Sequence, residues 1–325
     1  MRPAHLVLLL ALLPPLAVGP ARALTVEEVN RAGPGDAAAE DGKPDPFIVK
    51  AQVLLSRRSI SPGEIDGIDG ENYRKAIAQF RRQHALGEGD ELDEPTWRAL
   101  AGEDAGEVVS EYELTREDVS TPFARRIPHD YARQAKMKRL AYTSAREMLA
   151  ERFHMAPELL AALNPQADYR KAGERISVVS VARTPPEVPV ERIDVVKATG
   201  MVVVYGPDEE ILASYPATIG SEENPSPGGD YEVRRIARNP TYHYDPQKNF
   251  QQGRNRRKLV LPPGPNGPVG TVWIALSKPT FGIHGTPEPA KVSKTSSNGC
   301  VRLTNWDAEE LAGWVKPGTR VRFLP

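Results

Sequence analysis

The hydrophobic period of this chain changes across a Pro-rich connector at residues 184–189, and that change limits its folds more than any other feature. A helix places apolar residues every three to four positions and a half-buried strand every second one, so a single stretch cannot serve both. Upstream of Pro185, Pro186 and Pro189 the spacing is helical. Examples are Ile48, Val49, Ala51, Val53, Leu54 and Leu55, then Tyr73, Ala76, Ile77 and Phe80, then Trp97 and Leu100. Further on, Ala145, Met148, Leu149 and Arg152 lead to a second helix starting at Pro157 with Leu159, Leu160 and Leu163, and to a Val-rich strand with Val178, Val179 and Val181. Downstream the chain turns to β-branched runs: Ile193-Asp194-Val195-Val196, Met201-Val202-Val203-Val204-Tyr205, residues 211–219, 231–237, 271–276 and 319–323. A single helix interrupts them. Asn305 is its expected cap, Ala308, Leu311, Ala312 and Val315 its stripe, and Lys316-Pro317-Gly318 its stop.

At 325 residues the chain has room for more than one core. The expected fold is multidomain. A small all-α unit occupies 46–102, a charged linker or surface-wrapping arm 103–139, an α+β segment 140–183, a Pro-rich linker 184–191, and a mostly β unit of sandwich or barrel type 192–325. A fragment starting near residue 188 is expected to fold alone, as a domain with its own core can. Forty-two Lys and Arg against 43 Asp and Glu leave a net charge of −1, which gathers no nucleic acid or anionic lipid. No His-x-x-x-His, paired Cys or Asp-rich loop suggests a metal, and no Gly-rich phosphate loop suggests a nucleotide, so no cofactor is expected.

The N-terminus has a basic start at Arg2, an apolar run at residues 6–18 broken by Pro14 and Pro15, and the small-residue site Ala21-Arg22-Ala23. This is the pattern of a secretory signal peptide cleaved after Ala23, and the run is too short for a bilayer core that needs about 20 residues. Residues 24–45, rich in Ala, Gly and acidic residues without periodicity, read as a flexible tether. The expected location is the periplasm, without a stable membrane span. Exported proteins normally use Cys in pairs, so the single Cys300 is either an inert buried thiol or a reactive one.

The pattern of Gln52 in a helix, the Asp66-Gly67 turn, Phe80-Arg81 and Thr96-Trp97 resembles the three-helix peptidoglycan-binding domain over residues 46–102. The string Leu149-Ala150-Glu151-Arg152-Phe153 with Leu160 and Leu163-Asn164-Pro165, closed by Gly173 and the Val-rich strand, resembles a divergent LysM module. Its opening strand is poorly marked.

Phe281-Gly282-Ile283-His284-Gly285-Thr286 is followed, 16 residues after His284, by Cys300 within Ser297-Asn298-Gly299-Cys300-Val301-Arg302-Leu303. A thiol needs a proton acceptor to become a good nucleophile, and an imidazole can supply one. Glycines beside both groups permit close backbone approach, so N–H groups near Asn298, Gly299 and Cys300 can face a developing oxyanion. His-Gly-Thr followed at this spacing by Ser-x-Gly-Cys-Val-Arg-Leu resembles the L,D-transpeptidase catalytic domain. So do the upstream strings Thr218-Ile219-Gly220, Asn224-Pro225-Ser226-Pro227-Gly228-Gly229, Asn239-Pro240-Thr241-Tyr242 and the Pro- and Gly-rich run at 261–270.

That resemblance implies Cys300 as nucleophile, His284 as general base, the Gly285 carbonyl as the group that orients His284, and the Gly299 N–H in the oxyanion hole. It implies Arg302 facing a stem-peptide carboxylate, with Asn298, Ser297 and Thr286 as further substrate-binding residues. Some relatives carry a second His where this chain has Asn298. The implied partners are peptidoglycan stem peptides and glycan. The implied reaction is a Cys thioester passed to an amine of a second stem, giving a 3→3 cross-link, with acylation by carbapenems as a corollary. Water as acceptor would make the enzyme an L,D-carboxypeptidase, and an outer-membrane protein amine would make it a tethering enzyme. A catalytically silent wall-binding protein is the alternative of another class.

Overall fold

An Asp before a Pro favours helix initiation, because the carboxylate accepts from the first turn's N–H groups and the ring presets φ. In a computed structural model of the protein, which describes residues 24–36, 42–102, 105–220, 225–248, 250–297 and 299–325, Asp45 accepts from the N–H groups of Phe47 and Ile48 at 2.8 and 3.1 Å. The helix it starts is the second. The first, α1 (Val26–Arg31), lies inside the stretch expected as a tether, where Thr25 and Glu28 form a capping box and Val29 is fully buried. The expected helices follow as α2 (Pro46–Arg57), α3 (Glu71–Gln83) and α4 (Glu94–Ala101). The Gln52 amide braces the turn after α2, accepting from the Asp66 and Gly67 N–H groups at 3.0 and 2.8 Å and donating to Asp66 Oδ1 at 2.8 Å.

Residues 103–139, read from sequence as a linker or arm, contain β1 (Val109–Glu113), α5 (Arg116–Ser120) and α6 (Tyr131–Gln134). The next elements are α7 (Ala145–Arg152), α8 (Pro157–Leu163) and β2 (Arg175–Val179). β1 pairs antiparallel with β2, Val109 opposite Val179, so the strand that opens this segment starts about thirty residues before the expected boundary. Its mostly polar string, Val-Ser-Glu-Tyr-Glu, lacks the alternation that marks a strand. The two expected accessory modules share one apolar core, in which Val49, Phe80 and Leu100 belong with Val109, Leu149, Leu160 and Val179.

Beyond the connector come β3 (Arg192–Val196), β4 (Met201–Tyr205), β5 (Ile211–Pro216), β6 (Gly229–Arg238), β7 (Tyr242–Tyr244), β8 (Leu259–Leu261), β9 (Val272–Leu276), β10 (Gly282–His284), β11 (Val301–Arg302), α9 (Asn305–Trp314) and β12 (Arg320–Leu324). Eight of the strands form one sheet in the order β11-β10-β9-β6-β12-β3-β4-β5, with β12/β3 and β10/β11 parallel and the other pairs antiparallel. α9 adds Ala308, Leu311 and Ala312, and Val315 just after it, to the core of this sheet, and the eight strands bear out the mostly β expectation. Its cap is corrected: Thr304 Oγ1 accepts from Asp307 N at 3.2 Å, which frees the Asn305 side chain for other partners.

The two halves meet through buried polar groups. The Arg183 side chain is 4% exposed and reaches Asp307 at 3.1 Å and Glu310 at 3.0 Å, while Ser61 donates to Asp307 at 2.8 Å and Tyr215 to Glu310 at 2.8 Å. Residues 59–61 add a short bridge to the free edge of β5, with Ser61 N to Ser214 O at 2.8 Å and Ser214 N to Ser59 O at 2.9 Å. An open sheet edge is a liability, and here the helical half covers it. No helix among the described residues is long and apolar enough to cross a membrane. The apolar run at 6–18 and the expected cleavage site lie outside the described residues.

Candidate active site

Two short strands bring the candidate residues together. β10 and β11 run parallel with Ile283 opposite Val301 and His284 opposite Arg302. Side chains on a strand alternate faces, so His284 and Arg302 share a face, and Cys300, two residues before Arg302, joins them. All three line a pocket of about 140 Å³ with Tyr131, Tyr242 and Trp273 among its walls.

His284 is buried and fixed in orientation. Its Nδ1 lies 2.7 Å from Gly285 O, and a carbonyl only accepts, so Nδ1 carries the proton and the neutral ring keeps its lone pair on Nε2. The Trp273 ring stacks on it at 5.3 Å between centroids and 20° between planes. Gly285 is held from behind by Asn305, whose Oδ1 would lie 2.2 Å from a Cβ at that position and accepts from Thr271 N at 3.2 Å. Asn305 Nδ2 in turn donates to Glu151 of α7 at 2.9 Å. A residue of the helical half thus supports the loop that aims the histidine.

Burial, reinforced by the nearby Arg302 cation, lowers the His284 pKa to about 3 against the hydrogen bond to Gly285. Burial also raises the Cys300 thiol above its ordinary value, although the Gly282 N–H and Arg302 oppose it. The resting pair is therefore a neutral imidazole and a neutral thiol. The Cys300 sulfur contacts Thr280 O at 3.7 Å.

The loop before Cys300 explains the other sequence candidates. Gly299 has φ +99°, and a Cβ there would meet Phe281 at 2.9 Å, so the position requires glycine. Its N–H, expected in an oxyanion hole, is instead engaged by Ser297 Oγ at 3.2 Å. Ser297 also donates to Cys300 O at 2.5 Å, which makes it a brace of the loop and not a wall of the pocket. Thr286 accepts from Glu288 N at 3.3 Å within its own turn and stands outside the pocket lining. Asn298 lies outside the described residues. The aromatic walls Tyr131, Phe250 and Trp273 carry no sequence signal of their own, and Phe281 appears only at the head of the His284 string. Tyr242 likewise appears only inside a longer string. Among the described residues no cluster of His, Cys, Asp and Glu could hold a metal.

A model of the YkuD family, the L,D-transpeptidase catalytic domain, matches residues 190–323. The chain is 30% identical over 181 residues to the YkuD protein of Bacillus licheniformis, covering 55% of this chain and 93% of that protein. The chain belongs to the L,D-transpeptidase family. With the YkuD protein of Bacillus subtilis the identity is 32% over 114 residues, 35% of this chain and 54% of that one, so the chain spans about half the length of that relative. Among solved structures, an L,D-transpeptidase from Mycobacterium smegmatis matches with 17% identity over 46% of this chain and 65% of that chain, at a TM-score of 0.35. The sequence strings around His284 and Cys300 lie inside the family match, whereas Tyr131 and Glu151 lie before it.

Proposed function

We propose that this L,D-transpeptidase is an exported, wall-associated enzyme that forms 3→3 cross-links through a Cys300 thioester. The observation that carries the proposal is the Nδ1 hydrogen bond of His284 to Gly285 O, which leaves Nε2 as the proton acceptor on the pocket face shared with Cys300. The Cys300 sulfur attacks the carbonyl after the third stem residue as His284 Nε2 takes the thiol proton. The C–S bond forms, the C–N bond breaks, and His284 returns the proton to the departing D-Ala amine. An amine of a second stem then attacks the thioester, His284 takes the amine's proton, and that proton returns to the thiolate as the C–S bond breaks. Because Ser297 occupies the Gly299 N–H, we assign the Cys300 N–H to the developing oxyanion. Arg302 lines the same pocket, and in this reading its guanidinium receives a substrate carboxylate. The three-helix unit and the segment from β1 to β2 would supply affinity for glycan.

Mass spectrometry of muropeptides after incubation of the purified protein with sacculi tests this. The expected product is a cross-linked dimer that Cys300→Ser protein does not make. Tripeptide products alone would establish water as acceptor, and a stem linked to an outer-membrane protein would establish tethering. Sacculus binding with no product at all would support the silent wall-binding alternative.

A further inference from the structure

Helix α6 lies nearly sixty residues before the segment that the family model matches, yet its first residue, Tyr131, lines the pocket of Cys300, His284 and Arg302. The Tyr131 ring stands edge-on to Tyr242, Tyr244 and Phe250, with centroids 5.9, 5.3 and 6.2 Å away. The backbone around it is clipped to the loop after β7. Tyr131 N donates to Gln252 Oε1 at 3.2 Å, Gln252 Nε2 to His129 O at 2.8 Å, and Asn255 Nδ2 to Asp130 at 3.2 Å. Farther along, Leu140 bonds to Pro263 O and accepts from Asn266 N, both at 3.0 Å, and packs in a small cluster with Tyr244 and Leu261. The arm is fastened on both sides of the tyrosine.

The pocket that this ring closes is small. Its volume is about 140 Å³. A groove of about 500 Å³ shares Tyr242, Lys248, Val269, Trp273 and Thr280 with it, and Tyr131 is absent from that groove's lining. The restriction therefore belongs to the Cys300 end alone. A larger side chain there would have to displace the Tyr131 ring, losing its edge contacts and straining the Gln252 clip.

We propose that Tyr131, delivered by the accessory arm, is a specificity-determining wall that restricts the leaving end of the donor to a small side chain. The proposal rests on the donor reading given above, and its test includes an arm that does not. In the full-length protein, kcat/KM is measured for two synthetic stem tetrapeptides ending in D-Ala or D-Leu. Alkylation of Cys300 is measured at pH 8.5 with iodoacetamide and with N-phenylmaleimide. Tyr131→Ala is expected to shrink the D-Ala preference, and the preference for the small alkylating agent, by about fivefold or more, in the range a misfit of a few methylenes produces. Tyr131→Phe keeps both ratios within about twofold, because the ring and not the hydroxyl forms the wall. Melting temperatures are read on the same samples. Where Tyr131→Ala does not fold, Gln252→Ala, which unclips the arm without entering the pocket lining, replaces it with the same expectation. An alkylation ratio unchanged from wild type overturns the proposal whatever the turnover. A shifted alkylation ratio with no turnover of either peptide upholds the wall and sinks the donor reading instead.

Discussion

The helical half and the sheet half are each built around a large apolar core, whereas the surface between them combines buried polar groups with one small apolar cluster, Leu140 with Tyr244 and Leu261. Val49, Phe80, Leu149 and Val179 fill one core and Ile193, Val204, Ile274 and Leu311 the other. The polar part of the join is made by Arg183 with Asp307 and Glu310, by Ser61 and Tyr215, and by Glu151 with Asn305. Apolar burial is non-directional and tolerates sliding, whereas a buried cation between two carboxylates has one geometry. The helical half is therefore more than an accessory attachment. It covers the β5 edge, fixes the loop that aims His284 and walls the pocket.

The largest effect expected from this difference is on truncation. A fragment starting at residue 188 retains Asp307 and Glu310 but loses Arg183, Ser61 and the cover of β5, so it is expected to be insoluble or to melt without a cooperative transition in differential scanning fluorimetry. A soluble fragment with a sharp melt close to that of the full chain would return the helical half to the detachable role that the sequence suggests.

Arg183→Met comes next. Removing one partner of a buried ionic group costs about 3–5 kcal/mol, because the remaining charges stay buried without compensation. Burial already raises the Asp307 and Glu310 carboxyls above their ordinary values, so protonation relieves the variant. Groups with raised folded values stabilise at low pH and lose that contribution as pH rises. The deficit in urea unfolding should therefore be largest above neutrality and shrink toward pH 5. A deficit independent of pH would mean that the carboxyls are not what Arg183 neutralises.

A smaller effect concerns Glu151. Burial first, then the Glu147 and Glu309 charges, raise its pKa from 4.5 to about 8, against the hydrogen bonds from Asn305 and Tyr142. The stabilisation from the protonated form is complete below pH 4.5 and is lost as pH rises through 8. Glu151→Gln keeps the acceptor for Asn305 without the ionisation. Thermal melts should show a flatter pH profile for the variant and a gain of about 1–3 kcal/mol over wild type at pH 8.5. Parallel profiles for the two proteins would remove Glu151 from the join.

Periodicity made both cores legible. Tyr73, Ala76, Ile77 and Phe80 were read as one helical face and are buried together, and the strands containing Val195, Val203 and Ile274 were read as strands. What stayed hidden was short or polar. β10 and β11 have three and two residues, flanked by glycines, too few for alternation to show. β1, Val-Ser-Glu-Tyr-Glu, spaces Val109 and Tyr112 three apart and so shows no alternation, and its partner β2 is more than sixty residues away. His284 and Cys300 were found because local strings mark them. Tyr131 sits in a charged stretch, and only the tertiary clip through Gln252 brings it to the site. Asn305 was read as a cap because Asn favours caps, but Thr304 takes that role and Asn305 spans the join.

The intact mass of the protein after exposure to a carbapenem tests the central claim most directly, with wild type, Cys300→Ser and His284→Ala compared at equal melting temperature. The strained lactam carbonyl presents the electrophile that the stem amide does, so wild type should gain one inhibitor mass and Cys300→Ser none. His284→Ala should acylate about 10²–10⁴ times more slowly, the usual worth of a positioned base. Because His284 is neutral above about pH 3 and the thiol is not preformed as thiolate, the wild-type rate should show no ionisation step near pH 6.5. Retention of the inhibitor mass by Cys300→Ser protein would contradict the account.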